Sequence, residues 1–221
     1  GRKLRHDLGF GAEPVLLGGS THEGEDEILL DAACALRVGL PKARLVLAPR
    51  HLERLPSVAE QARIRGLATR LRSEAPLGDE PVLLVDTMGE LAALFGAVDL
   101  VFLGGSLVAR GGHNLLEPAA AGRVQLVGPH HWTMADFAAE LEEAGVLVVV
   151  HDADELAVRA GEILGRSREE RSRAARAARA VVERHRGATV RTLKVMEELG
   201  LLPVDEREPP EIAPGRTDSR S

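Results

Sequence analysis

GGSLVARGGHNLLEP, residues 104–118, is the stretch on which the fold turns. An apolar run, Leu100 to Leu103, precedes it and ends in Gly104, Gly105 and Ser106. A second glycine pair, Gly111 and Gly112, runs into His113, Asn114 and a helix-like segment from Leu115 to Ala121. A buried strand, a glycine loop and a polar helix start together suit an anion such as phosphate. The first N–H groups of a helix lack intrahelical partners, and its dipole favours negative charge there. Glycine lets the backbone approach closely and take positive φ. Asn114 fits an N-cap or an anion ligand, and Glu117 lies one turn further on. An ordinary strand-to-helix connection is the competing account.

Composition narrows the function classes. The 221 residues suffice for one large α/β domain or two small ones, with 44% hydrophobic and 28% charged residues, as in a folded soluble domain. A net charge of −6 argues against a general nucleic-acid binder, and 2% aromatics, with no Tyr, argue against base-stacking platforms. The single cysteine, Cys34, rules out an internal disulfide and a cysteine metal cluster, and its Ala/Leu-rich surroundings suit a small core residue. His22, His130, His131 and His151 show no metal-ligand spacing, so no metal and no cofactor is expected. No run is long and apolar enough to be a signal peptide or membrane span. The opening GRKLRHDLG, without Met, suggests a piece of a longer protein.

Taken from the start, strands are expected at Pro14 to Leu17, Arg44 to Leu47, Thr69 to Arg72, Pro81 to Val85, Asp99 to Leu103, Arg123 to Val127 and Leu147 to Val150. Ser20 with Glu23 makes a capping box that opens a helix from about His22 to Val38. Helices are expected at Leu52 to Arg65, at Met88 to Phe95 with Asp86 and Thr87 as cap, and at Met134 to Glu143. Two more follow, Asp152 to Leu164 and a long one that starts at Ser167, breaks near Gly187 and ends at Gly200. Residues 1–202 therefore read as one domain, and 203–221, rich in Pro, Glu, Asp, Arg and Ser, as a disordered tail.

Strands that alternate with helices at this spacing give an α/β, Rossmann-like parallel sheet with helices on both faces. The site of such a sheet lies beyond the carboxyl ends of its strands. Four unusual loops fall there: Gly18 to Glu25, Pro49 to His51, Asp86 to Glu90 and Gly104 to Glu117. Neither G-x-G-x-x-G after the first strand nor a Walker motif is present. Arg50 can pair with phosphate or carboxylate, or be a plain surface arginine. Glu117 can accept from a ribose diol, or be a first-turn helix acid. His113 can donate to phosphate, or be structural. Met88, Gly89 and Glu90 can face a base edge, or follow a plain cap. Between residues 166 and 186, eight arginines face three glutamates, which suits a solvated helix face or contact with anionic lipid or a partner domain.

GGSTHEGEDE (18–27), LAPRH (47–51), DTMGEL (86–91) and GGSLVARGGHNLLEPAA (104–120), in this order, resemble the C-terminal half of the 3-deoxy-D-manno-octulosonic acid (Kdo) transferase family. The resemblance runs from about residue 10 to about residue 200. It implies one half of a GT-B glycosyltransferase, which moves Kdo from CMP-Kdo to a lipid A precursor with inversion, at the cytoplasmic face of the bacterial inner membrane. By the same resemblance CMP lies against Pro49, Arg50, Met88, Gly89, Glu90, Asn114, Leu115, Leu116 and Glu117. Ser20, Thr21, Glu23, Gly104, Gly105, Ser106, Gly112 and His113 border the donor sugar. The family's catalytic base and membrane-docking surface belong to an N-terminal domain that no part of this chain matches, so no catalytic residue is expected here. The partners implied are CMP-Kdo, the lipid A precursor, that N-terminal domain and the membrane surface, without nucleic acid. Two alternatives stay open: another GT-B transferase that uses a UDP-sugar, and a non-catalytic nucleotide-binding module.

Overall fold

Leucine- and valine-rich runs bounded by Gly, Pro and Asp become strands, and the longer mixed segments between them become helices. The computed structural model describes residues 1–185. In chain order the elements are α1 (Arg2–Asp7), β1 (Val15–Thr21), α2 (Glu25–Gly39), β2 (Arg44–Pro49), α3 (Leu55–Ile64), β3 (Thr69–Leu71) and β4 (Val82–Leu84). Then come α4 (Leu91–Phe95), β5 (Leu100–Leu103), α5 (Leu116–Ala120), β6 (Val124–Val127), α6 (Ala135–Glu143), β7 (Leu147–Val149), α7 (Ala153–Leu164) and α8 (Arg168–His185). The seven strands form one sheet of order β3-β4-β2-β1-β5-β6-β7, and each neighbouring pair is parallel. This is the expected Rossmann-like α/β class. The winding reverses between β1 and β5, and a crevice opens at such a switch point.

Both faces of the sheet are covered, so its strands read as continuous apolar runs whose residues alternate between two cores. Leu17, Val46, Leu83, Val101 and Leu103 pack on one side with Phe95, Phe137, Leu141 and Val181. Leu16, Leu45, Leu47, Leu84, Leu100 and Phe102 pack on the other with Leu29, Leu30, Val58 and Leu156. Cys34 is half-buried beside this second cluster rather than inside it.

The structure departs from the sequence expectations at several element ends. β1 does not stop at Leu17 but runs through Gly18, Gly19 and Ser20 to Thr21. Glycine is needed beside it, because a Cβ on Gly104 would fall within 2.6 Å of the Thr21 Cα. The helix expected from His22 starts at Glu25, and its N-terminus is closed by the Glu27 carboxylate accepting the Gly24 N–H (3.1 Å), not by Ser20 with Glu23. Asp86 does not cap a helix at Met88. Its carboxylate accepts the Ser73 N–H and hydroxyl at 2.9 and 2.5 Å, and α4 begins only at Leu91. α1 was not expected at all; Arg5 anchors it through the Ala97 carbonyl and the Asp99 carboxylate, both at 3.0 Å. Ser167 does cap α8, exchanging bonds with Glu170. The break near Gly187, the end at Gly200, the boundary at residue 202 and the tail lie outside the described residues.

Candidate functional site

The crevice is built from the loops that leave β1, β2, β4 and β5. Ser20 is the one non-glycine residue at positive φ (54°) among the described residues, at the point where the β1–β2 register shifts. Strain of this kind persists only where surrounding structure holds it, and it clusters at ligand sites. Ser20 borders a cavity of about 120 Å³ together with Pro49, Arg50, Met88, Gly89 and Glu90. Arg50 is fixed by its backbone N–H on the Thr21 carbonyl (2.9 Å). Its side chain is exposed and makes no hydrogen bond or ion pair among the described residues. Arg72 holds the Glu90 carboxylate at 2.8 Å. Thr87 Oγ1 is buried at this cavity and lacks a hydrogen-bond partner among the described residues.

The glycine loop behaves differently from the expectation. The N–H groups of Gly105, Ser106 and Leu107 converge as a phosphate cradle would, but they donate to the carboxylate of Glu25 at 2.7, 3.0 and 3.0 Å. Glu25 has no exposed surface and also accepts the His22 N–H at 2.8 Å. An internal anion thus fills the nest, and the three donors are not open to a ligand. Ser106 is equally buried; its hydroxyl donates to the Leu103 carbonyl (2.5 Å) and accepts the Gly128 N–H (2.8 Å). Gly104, Gly105 and Ser106 are buried and shape the loop, with the Gly105 and Ser106 N–H groups committed to Glu25. Positive φ at Gly105, Gly111 and Gly112 lets the loop fold back, closed by the Gly112 N–H on the Gly105 carbonyl (2.8 Å).

Beside Glu25, Asp26 is buried as well. It accepts the Thr21 hydroxyl at 2.5 Å and pairs with Arg54 at 2.5 Å. Burial raises its carboxyl above the ordinary 3.8, although Thr21 and Arg54 pull it down. Thr21 itself has no exposed surface, so its hydroxyl serves this pair and not a ligand. Neither Asp26 nor Arg54 carried a sequence signal beyond acidic and basic positions near helix starts.

Three imidazoles meet above these groups. His22 and His113 stack with centroids 5.6 Å apart and rings 4° from parallel, and His51 meets His22 edge-on at 6.1 Å. The Nε2 atoms of His22 and His113 are 3.4 Å apart. Burial lowers both imidazoles below 6.5; for His113 the neighbouring His22 and Arg50 add to this, and for His22 Arg110, His51 and Arg54 do, against Glu25. A second cavity of about 350 Å³ opens here, lined by His22, Glu23, His51, Arg54, Val108 and Arg110.

Asn114, Leu115, Leu116 and Glu117 line neither cavity. Asn114 accepts the Leu116 N–H (2.9 Å) and donates to Glu117 (3.0 Å), both side chains being exposed. Leu115 is buried in the core, with only its backbone near the loop. Among the described residues no group of three or more His, Cys, Asp and Glu side chains is placed to hold a metal ion. No described helix is long and apolar enough to cross a membrane. In the basic run, Arg179 donates to the carbonyls of Ala120 and Ala121, Arg184 pairs with Glu140, and Arg176 reaches Ser172. Part of that run therefore ties α8 down; Arg186 lies outside the described residues.

No family model matches the chain. It is 40% identical over 187 residues to 3-deoxy-D-manno-octulosonic acid transferase of Haemophilus influenzae, covering 83% of this chain and 44% of the relative. Identity to the enzyme of the same name from Bordetella pertussis is 37% over 196 residues, 86% of this chain and 46% of the relative. The chain thus spans about half the length of these curated relatives. Among solved structures, the C-terminal CMP-Kdo binding domain of WaaA from Acinetobacter baumannii matches with a TM-score of 0.75 and 27% identity, over 82% of this chain and 95% of that one.

Proposed function

The chain belongs to the 3-deoxy-D-manno-octulosonic acid transferase family, and on that premise we propose that it is the CMP-Kdo-binding half of an inverting GT-B glycosyltransferase that delivers Kdo to a lipid A precursor. The observation that carries the proposal is the cavity between Ser20, Pro49, Arg50 and Met88 to Glu90, with the unpartnered Arg50 guanidinium beside it. Exposed Met88 offers an apolar surface for a pyrimidine face. Arg50 faces the phosphate, and Glu117 and Asn114, which line neither cavity, are assigned to the ribose on the resemblance alone.

In the reaction proposed, an acceptor hydroxyl oxygen bonds to the anomeric carbon and the bond from that carbon to the phosphate oxygen breaks. CMP leaves with the electron pair, and the hydroxyl proton passes to a base on the opposite face of the sugar. Negative charge grows on the departing phosphate, where a preorganised guanidinium stabilises it. Several carboxylates around the crevice are already engaged: Glu25 by four backbone N–H groups, Asp26 by Thr21 and Arg54, Glu90 by Arg72, Glu117 by Asn114. Following the resemblance, we place the base outside the chain, in an N-terminal domain at the cytoplasmic membrane face. Calorimetric titration with CMP, UMP and UDP tests the donor assignment. Preferential CMP binding is expected, and tighter binding of UDP would move the chain to the UDP-sugar transferases.

A further inference from the structure

We infer that the second cavity is a carboxylate subsite, in which Arg110 binds the acid group of the donor sugar with the imidazoles of His22 and His51 alongside. The inference rests on the donor assignment above and extends it to residues that assignment does not use. Arginines in this domain are mostly tied: Arg5, Arg44, Arg65, Arg70 and Arg72 each meet a carboxylate. Of the three arginines at the two cavities, Arg54 is neutralised by Asp26 at 2.5 Å. Arg50 at the first and Arg110 at the second make no side-chain hydrogen bond or ion pair among the described residues. Two adjacent cavities thus each hold one uncommitted guanidinium.

The donor chemistry has the same arrangement. A 2-ulosonic acid carries its carboxylate on the anomeric carbon, the atom that also bears the phosphate oxygen, so two anions sit on neighbouring bonds. Each needs its own cation in a partly desolvated site, and the planar guanidinium fork fits a carboxylate bidentately. The cavities adjoin through neighbouring residues: Arg50 lines the first and His51 the second, and His22 of the second stacks on His113. Burial lowers the His22 imidazole, and in its neutral form the ring donates from one nitrogen. Glu23 is the carboxylate on this rim; it is exposed, and water screens it. Glu53 lies beside His51, with a carboxylate oxygen 3.7 Å from the ring Nδ1. A neutral hexose on UDP has no group for Arg110, so the same residue would discriminate between donors.

The test compares CMP and CMP-Kdo binding to the 221-residue chain and to Arg110→Gln and Arg110→Lys. Arg110 is exposed, so neither variant threatens the fold. Arg110→Gln should weaken CMP-Kdo about tenfold or more and leave CMP within about twofold, with Arg110→Lys in between. Equal losses for both ligands, or no loss for either, would overturn the carboxylate subsite while leaving nucleotide binding intact. Failure of the unaltered chain to bind CMP would instead overturn the donor assignment itself, and the subsite with it.

Discussion

Glu25 and Gly105, 80 residues apart in sequence, meet at 2.7 Å through a carboxylate oxygen and a backbone N–H. This contact makes the glycine loop after β5 and the first turn of α2 one unit. The loop's donors need a negative partner, and the chain supplies its own. The exposed cations Arg50 and Arg110 then remain for ligands.

Replacing Glu25 with Ala would leave four backbone N–H groups without their acceptor, three of them in a closed loop. Unsatisfied buried donors are expensive, so a loss of about 3–5 kcal/mol in unfolding free energy is expected. Glu25→Gln keeps shape and part of the acceptance, and should lose less. Urea denaturation measures both. A loss below about 1 kcal/mol for Glu25→Ala would show that water replaces the carboxylate easily.

The sheet was legible because buried parallel strands are apolar runs closed by Gly, Pro or Asp, and Leu100 to Leu103 or Val82 to Leu84 admit few other accounts. The convergence of four loops followed from topology alone. The glycine loop's pattern specifies an anion without saying whose: nothing local distinguishes a bound phosphate from the Glu25 carboxylate at the start of α2. Gly18 to Thr21 reads as a loop in the sequence because glycine usually ends strands. Here a Cβ on Gly18 would strike Leu29 and Leu47, so the glycine lets α2 and β2 pack closely. Arg110 lay within the deciding stretch, yet its freedom is visible only once the partners of the other arginines are known.

Arg50→Ala should weaken CMP by about 1.5–3 kcal/mol, the range for hydrogen bonds to charged groups, and leave cytidine binding unchanged. The side chain is exposed and unpartnered, so stability should stay within about 0.5 kcal/mol. Titration calorimetry with both ligands reads the difference. Equal losses would move Arg50 away from the phosphate.

Glu117→Ala should weaken CMP through lost ribose contacts, by about 2–4 kcal/mol at most. Glu117 is exposed and its recorded side-chain partner is Asn114, so the melting temperature should barely move. Unchanged affinity would remove the ribose role and leave Glu117 as the partner that orients Asn114.

Acidification should cost stability through the histidine stack. Burial sets the folded values of His22 and His113 below the ordinary 6.5, so the unfolded chain binds more protons there. The stability they contribute is complete above pH 6.5 and is lost as pH falls through their lower folded values. Melting temperature should therefore drop between pH 7.5 and 5, and less steeply in His113→Gln, which removes one titrating ring from the stack. Parallel profiles for the two proteins would place the acid sensitivity elsewhere.

Alone, the chain should fold and bind CMP, yet transfer no Kdo. Folding is expected because the parallel sheet is complete, with a helix layer and an apolar core on each face. Binding is expected because the cavity with Arg50, Met88, Gly89 and Glu90 lies wholly within residues 1–185. It should be weak, since one wall of a two-domain cleft cannot close over its ligand. Transfer should be absent because the proposed base and acceptor surface belong to another domain. Incubation with CMP-Kdo and lipid A precursor, before and after adding an N-terminal domain in trans, tests this division. Kdo transfer by the chain alone would require a base among its own residues. Glu23, an exposed carboxylate at the second cavity, is then the residue to replace with Gln first.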